Sequence, residues 1–202
     1  MRKITINLAA VAAFCIVVAS PALVSSSCAT PKTEQEDTTI IREDSGITAL
    51  KYSSPEVPAS IEFCGKTIDL SRFDRHERMD RELLAFTYMH STSLQMLKKA
   101  NRYFPIVEPI LKENGIPDDF KYLMVIESNM NPTARSSAGA AGLWQFMQGT
   151  GRDYGLEVNN NVDERYHIEK ATRAACRYLK DAYAKYKDWV AVAASYNAGQ
   201  AR

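Results

Sequence analysis

The segment GIPDDFKYLMVIESNMNPTARSSAGAAGLWQFM, Gly115 to Met147, carries a complete helix signal followed by a glycine-rich loop. Asn114-Gly115 reads as the stop of a preceding helix, and Pro117 suits the first turn of a new one, where its missing N–H is not needed. Asp118 and Asp119 add negative charge near the helix N-terminus, where it is favourable. Phe120, Leu123 and Met124 then form an apolar stripe at spacing i, i+3, i+4, and the next position on that face is 127. Position 127 is Glu. A carboxylate on the inward face of a helix is costly unless it is paired or protonated. Desolvation raises its pKa, and so does nearness to the helix C-terminus, which Asn131-Pro132 imposes. A carboxyl group held protonated near neutral pH is what a general acid needs. On these residues alone, a structural Glu that caps or pairs inside the core reads equally well.

Downstream, Ser136-Ser137-Ala138-Gly139-Ala140-Ala141-Gly142 is rich in small and turn-forming residues and leads into Leu143-Trp144-Gln145-Phe146-Met147. Near the end of the sequence stands Ser195-Tyr196-Asn197-Ala198-Gly199. Each piece alone is common. The ordered set of Glu127-Ser128, GAAGLWQFM and SYNAG resembles the catalytic domain of the soluble-type (SLT) lytic transglycosylases, most closely the membrane-bound lytic murein transglycosylase D group. The resemblance runs from about Tyr103 to Arg202. It implies a mainly α, lysozyme-like catalytic domain, preceded by a helical lead-in and acting on peptidoglycan glycan strands. It also implies helical material beyond SYNAG, so the domain is expected to be incomplete at its C-terminal end.

The resemblance assigns roles residue by residue. Glu127 is the catalytic acid and base. Ser128 completes the Glu-Ser pair, and Ser136 supplies a hydroxyl near the reacting sugar. Gln145 and Met147 line the cleft, Tyr196 brings its hydroxyl towards the carboxylate, and Asn197 braces the site or binds a sugar. Taken without the resemblance, Ser136 reads as a turn serine, Trp144 as core, and Tyr196 as a buried tyrosine that needs some partner. No Asp or Glu lies between Glu127 and Asp153, whereas ordinary glycosidases use two carboxylates. The implied chemistry is therefore single-carboxylate cleavage of the MurNAc–GlcNAc β-1,4 bond, leaving 1,6-anhydro-MurNAc ends, with no metal or cofactor. A lysozyme-type glycoside hydrolase and a non-catalytic peptidoglycan-binding domain are the alternatives.

The rest of the 202 residues fixes compartment and layout. A net charge of +1 with no basic run gives no support to nucleic-acid binding. Arg2-Lys3, the uncharged run Ile4 to Val24 and the small residues Ala22, Ser25, Ser26 and Ser27 read as an export signal over residues 1–28. A retained membrane anchor is a second reading of that run. Lipid attachment at Cys28 is a third, weakened by Ser25 where an aliphatic residue is usual. The expected location is the periplasm or cell envelope, with membrane anchoring through the N-terminus. Residues 29–60, polar and interrupted by Pro31, Pro55 and Pro58, read as a flexible linker. Residues 61–104 read as the helical lead-in and 105–202 as the catalytic domain. Cys64 and Cys176 are left open as a disulfide pair, and His76, His90 and His167 lack zinc-site spacing.

Within the lead-in, Ile61–Leu70 reads as a short strand or an extended tether. Helical periodicity follows from Arg72 to Arg102, with Met79, Leu83, Phe86, His90, Leu94 and Leu97 on the apolar face and a break at Ser91-Thr92-Ser93. The alternating charges of Arg72 to Arg81 read as a solvated face. Pro105 is expected to open a separate helix, Ile106–Asn114, with Ile106, Ile110 and Leu111 in the core. Thr150 is expected to cap a short turn ending at Gly155. Asp163 or Glu164 should begin a long helix, and Asp188 should precede the last one.

Overall fold

In the computed structural model, residues 55–198 are described. The residues read as an export signal, most of those read as a linker, and Gly199 lie outside them, as do the side chains of His90 and Asn197. The architecture is mainly α, with one hairpin at its N-terminal edge. Strands β1 (Ser60–Phe63) and β2 (Lys66–Asp69) pair antiparallel through a Cys64-Gly65 turn, both turn residues having positive φ. So the segment read as strand or tether is a β-hairpin, and it is docked rather than loose. Phe63 is fully buried against Phe120 (ring centroids 6.1 Å apart), the Cys64 N–H donates to Asp119 Oδ2 at 2.6 Å, and Lys66 pairs with Asp188.

Helix α1 (Phe73–Tyr88) buries Met79 and Leu83 in a small cluster with Ile61 and Leu70. The chain breaks at Met89, not at Ser91–Ser93, and α2 (His90–Glu113) follows at once. Breaking there resets the helical phase. Ser93, Met96, Ala100, Phe104 and Val107 become the inward face, and Leu94, expected inside, is 60% exposed. The Ser93 hydroxyl secures the corner by donating to the Phe86 carbonyl at 2.5 Å.

Pro105 does not open a helix. Helix α2 runs unbroken through Pro105 and Pro109, so the expected start of a new helix lies in the middle of an existing one. Interior prolines remove a hydrogen bond and clash with the preceding turn, at about 3 kcal/mol each in an isolated helix. Here both prolines sit four apart on the solvent side, where water can satisfy the freed carbonyls. The opposite face buries Phe104, Val107, Ile110 and Leu111, and this burial outweighs local propensity. Ile106 is only half-buried.

A 3-10 turn (Asp118–Phe120) leads into α3 (Lys121–Ser128). Helix α4 (Gln148–Asp153) contains Thr150 instead of being capped by it; its cap position is Met147. A second 3-10 turn (Glu164–Tyr166) precedes α5 (Ile168–Tyr186), whose N-terminus His167 caps by accepting from the Lys170 N–H. Helix α6 (Trp189–Ala198) follows Asp188, whose carboxylate accepts from the Val190 N–H. Helix α5 is the centre: α2 and α6 both pack against it, and apart from Leu179 its buried apolar residues before Tyr178 and after it are small, Ala171, Ala174, Ala175, Cys176 and Ala182, which permits close approach. Cys64 and Cys176 are both free thiols, one at the hairpin turn and one within α5 facing α2, where its sulfur points at the Ile110 carbonyl. Among the described residues no helix is long and apolar enough to cross a membrane.

The re-phased face of α2 has a direct test. Leu94→Ala should change the unfolding free energy by less than about 0.5 kcal/mol, while Leu123→Ala, fully buried, should cost about 2–5 kcal/mol. Urea denaturation of both variants distinguishes this face from one that buries Leu94.

Candidate active site

Glu127 occupies the last turn of α3, one residue before the helix ends. The stop is made by two consecutive left-handed residues, Asn129 (φ 49°) and Met130 (φ 52°), and not directly by Pro132. The Asn129 N–H donates to the Val125 carbonyl at 2.8 Å and the Met130 N–H reaches back to the Met124 carbonyl at 3.4 Å, so the last turn's carbonyls are met by the left-handed residues that end it. Met130, fully buried, anchors the turn from inside. Lys99 Nζ holds the outer side by donating to the Asn129 carbonyl at 3.0 Å. A left-handed Met carries backbone strain, tolerated because burial and these bonds over-determine it.

The Glu127 carboxyl group is unlike any other acid here. Its Oε1 is buried without a hydrogen-bond partner, and among the described residues no other buried side-chain oxygen or nitrogen is in that state. Burial pushes its pKa up to about 7. The cause is desolvation of the charged form, with no compensating cation. The group therefore exchanges a proton near neutrality, and its unpartnered oxygen is free to bond a ligand atom.

Opposite stands the loop from Ala134 to Met147. It is folded on itself by Arg135–Ala141 and Ala141–Phe146 bridges. Its carbonyls are then gripped from several elements. The single Ser128 hydroxyl proton is shared between Leu143 O at 3.0 Å and Met124 O at 2.9 Å, tying the loop to the residue next to Glu127. The Tyr196 hydroxyl, from α6, donates to Trp144 O at 2.8 Å. Gln145, itself left-handed at φ 47°, folds its amide back to donate to Gly142 O at 2.8 Å and Ala134 O at 3.3 Å. Trp144 is fully buried, its indole N–H donating to Thr172 Oγ1 on α5 at 3.0 Å.

Arg165 grips hardest. Its side chain, almost completely buried, forks onto Asp163 (Nε–Oδ1 2.9 Å, Nη2–Oδ2 2.7 Å) and sends Nη1 to the carbonyls of Gly139 (2.8 Å) and Phe146 (2.9 Å). Gly142 crosses the Arg165 backbone so closely that a Cβ there would lie 1.9 Å from the Arg165 carbonyl oxygen. That contact, together with φ +79°, requires glycine.

The sequence-derived residues thus fall into two groups. Glu127, Ser128, Tyr196 and the loop bearing Gln145 come together around one carboxyl group. Ser128 does so as a buried brace, its hydroxyl engaged with two backbone carbonyls. Burial, then the charge of Glu127, drive the Tyr196 pKa far above 10, so it stays a donor; the hydroxyl engages Trp144 O instead of the carboxylate. Ser136 is exposed, and its Oγ accepts from the Ala140 N–H at 3.0 Å. Met147 is 45% exposed at the loop's end. Asn197 lies in α6, its side chain outside the described set. Among the described residues no three His, Cys, Asp or Glu side chains cluster as a metal site would need. The sequence reading missed Arg165, Asp163 and Thr172, which organise the loop. A charged residue in a short polar run looks like solvated surface, and nothing local announces that its partners are carbonyls 19 and 26 residues away.

A short α-helix ending at a desolvated glutamate, facing a side-chain-braced glycine loop and a tyrosine from the last helix, defines a lysozyme-like cleft. Residues 105–202 match the transglycosylase SLT domain family, and this part of the chain is an SLT domain. The chain is 32% identical over 127 residues to membrane-bound lytic murein transglycosylase D of Escherichia coli K12, covering 62% of this chain and 27% of that relative. It is also 34% identical over 92 residues to the peptidoglycan transglycosylase gp16 of Escherichia phage T7, covering 44% of this chain and 7% of that protein. The chain thus spans about a quarter of the length of the first relative.

Two measurements test the site's physics. Glu127 should titrate near pH 7 when followed by carboxyl-selective NMR. Because its folded pKa lies above the unfolded value of 4.5, the folded state holds the extra proton between those limits. Wild-type stability should therefore fall, relative to Glu127→Gln, as pH rises from about 4.5 to 7, by roughly 3 kcal/mol, and then level off. A gap independent of pH would mean the carboxyl is solvated. Separately, Gly142→Ala should destabilise by more than about 2 kcal/mol. Gly149→Ala, in open space at ordinary φ within α4, should stay within about 1 kcal/mol of wild type.

Proposed function

We propose that this chain is a peptidoglycan lytic transglycosylase that uses Glu127 as its single catalytic carboxyl group. The observation that carries this reading is the buried, unpartnered Oε1 of Glu127, with a pKa of about 7, in a sequence that offers no second Asp or Glu until Asp153. Asp163, the nearest carboxylate in sequence to Asp153 on its far side apart from Glu157, is held ionised by the Arg165 guanidinium and is not available as a base. In the proposed reaction the protonated Glu127 gives its proton to the oxygen of the MurNAc–GlcNAc β-1,4 bond as the C1–O bond breaks. The resulting carboxylate takes the proton of the MurNAc C6 hydroxyl, whose oxygen bonds C1 and closes the 1,6-anhydro ring. Glu127 ends as it began, and no water is consumed. The attacking hydroxyl belongs to the substrate, so its effective concentration is high without a bound water or a second carboxylate.

Ser136, Gln145, Met147 and Asn197 are proposed to face the glycan, while Ser128 and Tyr196 hold the loop in register with the acid. A role in cell-wall remodelling and a place in the cell envelope follow from the same reading. They are supported by the names of the two relatives and by the export-type N-terminal sequence.

Mass spectrometry of soluble products from purified peptidoglycan decides the matter. The expected outcome is muropeptides one water lighter than reducing ones, and none with Glu127→Gln, a loss of at least about 10³-fold. Reducing-end products would make the protein a lysozyme-type hydrolase. Binding to peptidoglycan without any product would make it a wall-binding domain.

A further inference from the structure

Asp163 and Arg165 form a charged pair outside the cleft whose two loop contacts lie at opposite ends of one turn. Arg165 Nη1 donates to Gly139 O, where the glycine run enters, and to Phe146 O, where it leaves, at 2.8 and 2.9 Å. Between them hang the carbonyls that Ser128 and Tyr196 hold, so the guanidinium sets the width of the segment tied to the residue beside Glu127. The fork to Asp163 fixes the plane of the guanidinium, and its stem runs so close past Gly151 that a Cβ there would lie 3.3 Å from Arg165 Cγ. A lysine has no planar fork and could not meet Asp163 bidentately while reaching both carbonyls.

From this geometry we infer that Arg165, oriented by Asp163, is a positioning residue for the catalytic cleft: it clamps the 139–146 loop over Glu127 without touching the glycan. The inference rests on the activity proposed above, and it has a readout that does not. Clamp loss frees the loop while α2 and α5 stay packed, so the effect is local. A residue that merely stabilised the fold would loosen the whole molecule.

The experiment compares wild type, Arg165→Lys and Asp163→Asn by amide hydrogen exchange and by steady-state solubilisation of purified peptidoglycan. In both variants the amides of Ala141 and Gly142, bonded in the native loop to Phe146 O and Ala134 O, should exchange at least 10-fold faster, with α2 and α5 unchanged. Turnover should fall about 10²-fold, the scale of an ångström-sized misplacement of catalytic groups, with KM shifted far less. Asp163→Asn keeps the shape of the pair and serves if Arg165→Lys does not fold. Wild-type exchange at 141–142 in the variants overturns the clamp, as does exchange that rises uniformly through α2 and α5. Local loosening with undiminished turnover also overturns it. An inactive wild type would instead count against the proposed reaction, and exchange alone would then decide the clamp.

Discussion

The cleft depends on the satisfaction of a handful of backbone carbonyls in one loop. Residues 139–146 form no regular helix or sheet, so their carbonyl groups have few backbone partners, and an unpaired buried carbonyl is expensive. Side chains from four directions supply the missing donors: a hydroxyl from α3, a phenol from α6, an amide from the loop itself and a guanidinium from the turn before α5. Each donor is brought by a different stretch of sequence, so the loop is where those elements are brought into register. Glu127 sits next to one of these donors, and Tyr196, whose titration senses its charge, is another. The same bonds that make the loop rigid therefore help to keep one carboxyl oxygen, Oε1, away from solvent.

This arrangement leaves one imbalance. Buried side-chain nitrogen and oxygen atoms in the described part of the molecule have partners, apart from Glu127 Oε1. An orphan oxygen amid otherwise complete satisfaction is the pattern expected where a protein holds a group ready for a ligand and not for its own stability. Desolvation without a neighbouring cation gives the site a proton to donate near neutral pH; a salt bridge would have given it a permanent anion.

The main parts of this design were legible in the sequence, and the reasons differ from part to part. Glu127 stood out because it interrupts the stripe Phe120, Leu123, Met124, and a helical period can be read from a few residues. The mainly α class followed from similar periodicity in α5 and α6. Pro105 misled because the local rule for proline is strong, while the burial of Val107 and Leu111 that overrides it is a tertiary effect. Leu94 misled because a break at Met89 instead of Ser91–Ser93 rotates everything after it. Arg165 was silent for a different reason: its role is defined by carbonyl groups, which every residue has, so no choice of side chain at Gly139 or Phe146 marks them as its partners.

The indole of Trp144 carries a consequence of its own. It lies at the middle of the loop, wholly shielded and hydrogen-bonded to Thr172, whereas Trp189, at the start of α6, stacks on Tyr183 of α5, 4.1 Å between rings. The two tryptophans thus sit in optically distinct settings, one joined to the cleft and one to the helical body. Movement of the loop changes the solvent and hydrogen bonding felt by one emitter and leaves the other as an internal standard. The fluorescence spectrum is therefore an intrinsic gauge of the cleft, available without labels and before any substrate is added.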